Sequence, residues 1–126
     1  MSTKIGMKRL LVLADFLDEL KPERFNLRSW QAIGFSVRSC GTTACAVGWA
    51  TTMPVFKKQG LSSDSGLPMF RSLPGWKAVR AFFGIDTRTA TRLFSHQSYP
   101  RFDDTEPVEV AKRIRRSVAS MKARAA

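Results

Sequence analysis

Residues 40–50 read Cys40-Gly41-Thr42-Thr43-Ala44-Cys45-Ala46-Val47-Gly48-Trp49-Ala50 and hold both cysteines of the chain. A glycine followed by paired threonines predicts a turn that leads into a helix N-cap, where a threonine hydroxyl accepts a backbone N–H. The residues that follow leave almost no polar face, which is typical of a buried helix. We therefore expect a structural role, in and around a central buried helix, for Cys40, Gly41, Thr42, Thr43, Cys45, Gly48 and Trp49.

The same segment carries the pattern Cys-Gly-Thr-x-x-Cys-x-x-Gly-Trp-Ala. On this pattern the chain resembles a set of small, mostly uncharacterised helical proteins from bacteriophages and bacteria. The resemblance extends to residues 25–30, 83–85, 90–94 and 111–114. It implies a helical phage-type protein, and it brings no activity or catalytic residue with it.

Apolar residues at helical spacing predict helices in most of the remaining chain. The expected helices cover residues 3–20, a stretch from Thr42 or Thr43 onward, a stretch from Pro74 to Phe83, a stretch from Asp86 or Thr87 to Phe94, and about 105–122. Pro54 must kink or restart the second helix, because proline lacks an N–H and clashes with the preceding turn.

Glycines and prolines indicate where these helices end. Gly60 followed by Leu61 predicts a helix C-cap, and Gly84 is expected just past the end of the third helix. Residues 61–73 are predicted to be a loop. The expected fold is mainly α: a single compact domain over 1–126, with about five helices around a buried central helix.

The charge of the chain is its most unusual compositional property. Its 126 residues include 21 Lys and Arg against 10 Asp and Glu, which gives a formal net charge of +11 and a pI near 10.7. Such a balance favours polyanionic partners through counterion release, and it also acts on solubility and non-specific association. Charge alone therefore leaves a nucleic-acid role and a solvated basic surface both open.

The expected location is the cytoplasm of a bacterial host. No segment has the roughly 18–20 consecutive apolar residues of a membrane span, and the N-terminus is unlike a secretory signal. We therefore expect no membrane partner. In the cytoplasm Cys40 and Cys45 should stay reduced, because disulfides are rare there.

The cysteines, the histidine and the carboxylates are the candidates for catalysis or metal binding. A catalytic cysteine needs a base within reach, and His96 is the only histidine of the chain. Zinc needs four ligands, more than these three side chains supply, although a site shared between two copies and a local disulfide stay open. The carboxylates at 103, 104, 106 and 109 suit helix capping. We therefore expect no enzyme activity, no cofactor and no metal.

Two short helices joined by Gly84-Ile85-Asp86 are helix-turn-helix-like. The residues that fall on the buried positions of that motif are Val79, Phe83, Ile85, Ala90 and Leu93. Arg80 departs from the motif, because it stands where a small residue usually packs between the helices. Residues projecting from the second helix would be Thr87, Arg88, Thr91, Arg92 and Gln97, and arginine can contact both phosphates and guanine.

The last helix is predicted to be amphipathic, with one packed face and one strongly positive face. Together with the second helix of the pair, it supplies the residues expected to bind nucleic acid or an acidic partner: Arg88, Arg92, Lys112, Arg113, Arg115, Arg116 and Lys122. Trp76, Phe82 and Tyr99 could add base stacking, although aromatic residues at helical spacing are more often core residues.

Three hypotheses of function follow from these observations. The first is a small non-enzymatic protein that binds DNA or RNA mainly through phosphate contacts. The second is a phage-encoded accessory or counter-defence protein, comparable to an anti-CRISPR inhibitor, that binds an acidic or nucleic-acid-handling host complex. The third, a cysteine-dependent enzyme, is the least favoured. The sequence leaves the oligomeric state and the reactivity of the two cysteines open.

Overall fold

The computed structural model describes residues 4–20, 46–64, 67–95, 98–99 and 106–125. Within them the chain is mostly helical, which confirms the mainly α prediction, and it also contains a small antiparallel sheet. The helices are α1 (Lys4–Glu19), α2 (Ala46–Ala50), α3 (Pro54–Lys58), α4 (Gly75–Phe83), α5 (Thr87–Phe94) and α6 (Pro107–Ala125); the strands are β1 (Ser62–Asp64), β2 (Leu67–Phe70) and β3 (Leu73–Pro74). Among the described helices, none offers an apolar stretch that could span a membrane.

The two long helices, α1 and α6, pack against each other and form the most extensive helix–helix contact of the described residues. From α1, the leucines at positions 10, 13 and 17 are completely buried. From α6, the apolar residues predicted to share one face are all buried: Val110, Ala111, Ile114, Val118 and Met121. The predicted amphipathic helix is therefore confirmed. It begins at Pro107 and ends at Ala125, three residues later than expected.

A cluster of phenylalanine rings joins the shorter elements. The Phe82 ring lies 5.0 Å from Phe56 of α3, 5.1 Å from Phe70 of β2 and 5.0 Å from Phe83, with edge-on geometry in each pair. Phe83 in turn lies 5.6 Å from Phe94 of α5. Tilted and edge-on aromatic pairs are favourable beyond the area that they bury, so this cluster fixes the sheet and three helices relative to one another.

Residues 46–61 form two short helices instead of one long helix. The Thr51 and Thr52 hydroxyls donate to backbone carbonyls one turn earlier, and Met53 is extended, as residues before proline prefer. Pro54 then starts α3, so it restarts the helix as predicted. Of the predicted central helix, the structure describes only Ala46–Ala50. The predicted arrangement of five helices around it is not confirmed. The N-cap predicted for this helix, Thr42 or Thr43, lies outside the described residues.

The end of α3 has the predicted C-cap. Gly60 N–H donates to Lys57 O and Leu61 N–H donates to Phe56 O, which is the paired pattern of a Schellman motif. Gly60 has a φ of 102°, and a Cβ there would lie 3.4 Å from the Phe70 ring. The positive φ therefore favours glycine here, whereas a Cβ would make only an ordinary contact with the aromatic ring.

The prediction of a loop over 61–73 is wrong, because β1, β2 and β3 form an antiparallel sheet there, in that order. The residues of β1 are two serines and an aspartate, all exposed, which is a composition typical of loops. They form a strand because they pair with β2, with Ser63 opposite Pro68. Pro68 and Phe70 bury one face of β2. Pro74 pairs with Met69 and stays extended, so α4 begins one residue later than predicted.

The β2–β3 turn generates the first testable prediction. Its two central residues, Arg71 and Ser72, have φ values of 52° and 67°, in the left-handed region that favours Asn-Gly in a two-residue hairpin. Replacing them together by Arg71→Asn and Ser72→Gly should stabilise the fold by about 1 kcal/mol, since the left-handed conformation costs other residues about that much or more. Thermal unfolding followed by circular dichroism measures the gain. The control Ser63→Gly lies in β1, where φ is negative, and should give no such gain in stability. An unchanged melting temperature in the double variant would contradict the claim that Arg71 and Ser72 are strained.

Candidate nucleic-acid interface

Local hydrogen bonds shape the connection between α4 and α5. Gly84 is in the left-handed conformation, and Ile85 N–H donates to Arg80 O at 3.1 Å. Asp86 caps α5, because its carboxylate accepts a hydrogen bond from Thr89 N–H at 2.8 Å. The hydrogen bonds with Thr89 hold the pKa of Asp86 below its usual value. The predicted glycine C-cap and aspartate N-cap are therefore both confirmed.

The α4–α5 pair buries all the residues that the helix-turn-helix comparison requires, namely Val79, Phe83, Ile85, Ala90 and Leu93. Arg80 lies partly buried between the helices, and its Nη1 donates to Thr87 Oγ1 at 3.1 Å. Its Nε is buried, and no described residue accepts a hydrogen bond from it. An arginine therefore spans the junction where the motif usually has a small residue.

The outer face of α5 is polar and positively charged. The side chains of Thr87, Arg88, Thr91 and Arg92 are all exposed, as predicted for projecting residues. Gln97, which was expected to join them, lies outside the described residues. Arg88 and Arg92 are one turn apart, so both lie on the same face of α5.

Arg113 of α6 is engaged inside the protein. Its guanidinium lies 3.8 Å from the centre of the Tyr99 ring, and its Nη1 donates to Arg92 O at 3.0 Å and to Ser98 O at 2.7 Å. Tyr99 in turn donates to Leu93 O at 2.7 Å, and burial raises the pKa of its hydroxyl. Arg113 therefore ties α6 to α5, and its guanidinium is occupied by partners inside the protein.

Arg115 is held on the opposite flank of α6. Its Nη2 lies 2.8 Å from Asp15 Oδ1 and 2.6 Å from Asp18 Oδ2, so it joins α6 to α1. These two carboxylates raise the pKa of Arg115 through their hydrogen bonds. Exposed ion pairs of this kind contribute no more than about 1 kcal/mol, so the packed apolar face stabilises the α1–α6 contact more. The pairing also reduces the availability of Arg115 for an external anion.

Lys112 and Arg116 lie between those two arginines. Successive residues of an α-helix are about 100° apart, so these two side chains fall on the outer face of α6, between the flanks that contact α5 and α1. Both are exposed, and the structure gives neither an ion pair with a described residue. Lys122 is also exposed, but it lies two turns beyond Arg115 on the α1 flank.

We call the four exposed cations Arg88, Arg92, Lys112 and Arg116 the basic strip. The hydrogen bond from Arg113 to Arg92 O joins the two helices that hold the strip. The ion pairs between described residues are those of Arg115, and none involves these four cations, although the charge of Arg88 contributes to the lowered pKa of Asp86. The strip therefore places four positive charges on the exposed faces of two helices that are in contact, α5 and α6.

Other predicted residues have a different placement. Gly48 is buried, and Trp49 is half-buried with its ring 6.0 Å from that of Phe16. Phe82 and Tyr99 are buried, so they are core residues and cannot stack on a base, whereas the side chain of Trp76 is 39% exposed. Cys40, Gly41, Thr42, Thr43, Cys45 and His96 lie outside the described residues. Within the described part of the chain, no three His, Cys, Asp or Glu side chains gather as metal ligands.

Arg9 has a role that the sequence did not reveal. Its Nη1 donates to Phe82 O at the end of α4 at 2.7 Å, its Nε donates to Gln59 Oε1 at 2.6 Å, and its guanidinium lies 4.1 Å from the centre of the Phe82 ring. Burial, followed by the nearby charge of Arg71, lowers the pKa of Arg9. Nothing in the local pattern of α1 distinguishes this arginine, because each of its partners comes from a distant part of the chain.

Comparison with protein-family models, with curated proteins and with solved structures finds no match for this chain. The fold and the surface described above are therefore the basis for a functional proposal.

The Asp86 cap generates a prediction about pH. A carboxyl whose pKa is lowered on folding stabilises the folded state while it is ionised, so this contribution is present above its ordinary pKa of 3.8 and is lost as the pH falls through the lowered value. Asp86→Asn keeps an N-cap acceptor and should lose less stability between pH 5 and pH 2 than the unaltered protein. Thermal unfolding over this range measures the difference. Equal losses would show that the carboxylate contributes nothing to acid sensitivity.

The different surroundings of two arginines on α6 generate another prediction. Arg113→Gln should destabilise the fold by on the order of 2 kcal/mol, because it removes two charge-assisted hydrogen bonds and a cation–π contact. Arg116→Gln, the matched control one turn later, should change the free energy of unfolding by less than about 0.5 kcal/mol. Urea unfolding at neutral pH compares them. Similar values for the two variants would contradict the division into internal and outward-facing arginines.

Proposed function

We propose that this protein is a small, non-enzymatic, phage-type nucleic-acid-binding protein that holds the phosphates of DNA or RNA on the basic strip. The proposal assigns direct phosphate contacts to Arg88, Arg92, Lys112 and Arg116. Arg113 and Arg115 act as positioning residues that fix α6 against α5 and α1. No catalytic residue or cofactor is required.

The proposal depends on a difference between two sets of cations: two arginines of α6 have partners inside the protein, whereas the cations of the strip face outward. Arg113 and Arg115 are held by carbonyls, an aromatic ring and carboxylates. The side chains of the strip make no hydrogen bond, ring contact or ion pair of this kind with a described residue, and only the charge of Arg88 acts on a nearby carboxylate, that of Asp86. Bringing like charges together is unfavourable unless a counter-charge is supplied, and a phosphate backbone supplies it while releasing its own counterions.

The global charge supports the same partner. A formal net charge of +11 in 126 residues attracts polyanions over long range and accelerates their association at low salt. Phosphate contacts of this kind are largely independent of sequence. We therefore expect binding with weak sequence preference and strong salt dependence.

A salt titration tests the proposal. The protein is titrated against labelled single-stranded and duplex oligonucleotides at a series of salt concentrations, and binding is read by fluorescence anisotropy. Replacing all four strip residues by glutamine should weaken binding and reduce the magnitude of the slope of log K against log salt by roughly 3, since each phosphate contact contributes about 0.7–0.9.

The matched control removes the same charge elsewhere. Lys4, Lys8, Lys57 and Lys58 are exposed on α1 and α3, and their replacement by glutamine gives a variant of equal net charge. This control should retain most of the slope. Equal losses in the two variants would contradict a localised site. Absence of binding to either nucleic acid, combined with a protein partner retained from nuclease-treated host lysate, would overturn the proposal in favour of a host-protein inhibitor.

A further inference from the structure

An apolar patch at the junction of the sheet and α4 is not explained by phosphate binding. Trp76 is 39% exposed, and the two leucines beside it in sequence or in space, Leu73 and Leu67, are 36% and 37% exposed. Leu67 reaches this junction from β2, because its Cδ1 lies 3.7 Å from the position that a Cβ of Gly75 would take. Tryptophan is usually well buried, so its exposure at this place requires a reason.

Positively charged residues extend from this patch toward the basic strip. Lys77 follows Trp76 directly and is exposed, and Arg80 lies one turn beyond Trp76 on the same side of α4. The hydrogen bond from Arg80 to Thr87 then connects α4 to the first residue of α5. Arg88 follows Thr87 in α5 and is exposed, so cations of both helices lie near the junction that Trp76 adjoins through α4.

Resting on the function proposed above, we infer that the ligand is single-stranded nucleic acid and that the indole of Trp76 stacks on one of its bases. The phosphates that flank this base would follow Arg80 and Arg88 toward the rest of the strip. A flat aromatic ring beside cations suits this ligand, because every base has a face for stacking and every linkage has a negative charge. In a duplex the base faces are already stacked on their neighbours, and only the base edges and phosphates are accessible.

The α4–α5 pair favours the same choice. In a helix-turn-helix protein the second helix inserts into the major groove, and a close crossing supported by a small residue sets its angle. Here Arg80 occupies that junction and donates to Thr87. An arginine at this point can act on a phosphate, together with Arg88, on a strand that passes over the junction.

The experiment compares three ligands: a single-stranded oligonucleotide, the duplex of the same sequence, and heparin as a polyanion without bases. Trp76→Leu should weaken binding to the single strand by roughly five- to hundredfold, the range measured for one stacked base, and leave heparin binding unchanged. Trp76→Phe should retain most of the affinity, because it keeps an aromatic face. Glutamine at both Arg88 and Arg92 should weaken binding to all three ligands.

Tryptophan fluorescence gives an independent readout. The chain has three tryptophans, and the single strand should quench the emission of Trp76. The quenching should disappear in Trp76→Phe and persist in Trp49→Phe, the control at the half-buried ring beside Phe16. Unchanged melting temperatures would show that each variant is folded.

The possible outcomes separate this inference from the proposed function. If Trp76→Leu binds the single strand as tightly as the unaltered protein, stacking is overturned while phosphate binding stands. Preferential binding of the duplex, unaffected by Trp76→Leu, would also overturn the inference and would indicate groove recognition by α5. If the unaltered protein binds none of the three ligands, the proposed function fails, and this inference fails with it.

Discussion

Contacts among five phenylalanine rings hold the short elements of the described structure together: Phe56, Phe70, Phe82, Phe83 and Phe94. These five rings come from α3, β2, α4 and α5, which are short elements with little intrinsic stability. Each element is held because its ring is buried among the others. The orientation of α4 and α5, and hence of the surface that they present, follows from this packing. The carbonyl of Phe82 at the end of α4 also accepts from Arg9, which links the cluster to α1.

The arginines of this protein fall into two groups that composition cannot separate. Arg9 and Arg113 are partly buried, stack on aromatic rings and donate to carbonyl groups. Arginine suits this role because its planar guanidinium can stack and donate at the same time. The arginines and lysine of the basic strip have no such contacts, and their charge faces outward. The positive charge of the chain therefore serves both to hold helices together and to form a surface.

The basic strip lies on α5 and α6, and the Trp76 patch lies where the sheet meets α4; the proposed ligand would contact the two through different chemical groups. Phosphates interact with charge over long range, in a manner that salt weakens. Stacking acts only at contact and is much less sensitive to salt. A surface with both properties would attract a strand electrostatically and hold it where a base meets the indole. Arg80 joins the two parts, because it belongs to α4 and contacts α5.

Much of the local structure was predictable from the sequence, because it depends on near neighbours in the chain. The faces of α1 and α6, the restart at Pro54, the C-caps at Gly60 and Gly84 and the Asp86 N-cap all follow from helical spacing, backbone freedom and short-range hydrogen bonds. The residues of the basic strip were also predicted, but within a larger set that included Arg113 and Arg115.

Only the tertiary structure decided which cations are available and which aromatic residue is exposed. Arg115 meets Asp15 and Asp18 across about a hundred positions of sequence, and Arg113 meets Tyr99 from a neighbouring element. The short β-sheet was missed for the same reason, since β1 has no apolar pattern of its own and exists through its pairing with β2. Phe82, Tyr99 and Trp76 look equivalent in the sequence, and packing buries the first two. By itself, the sequence determined the helices, their ends and the positive charge, because these depend on neighbouring residues and composition; the surface on which that charge is displayed depends on long-range contacts.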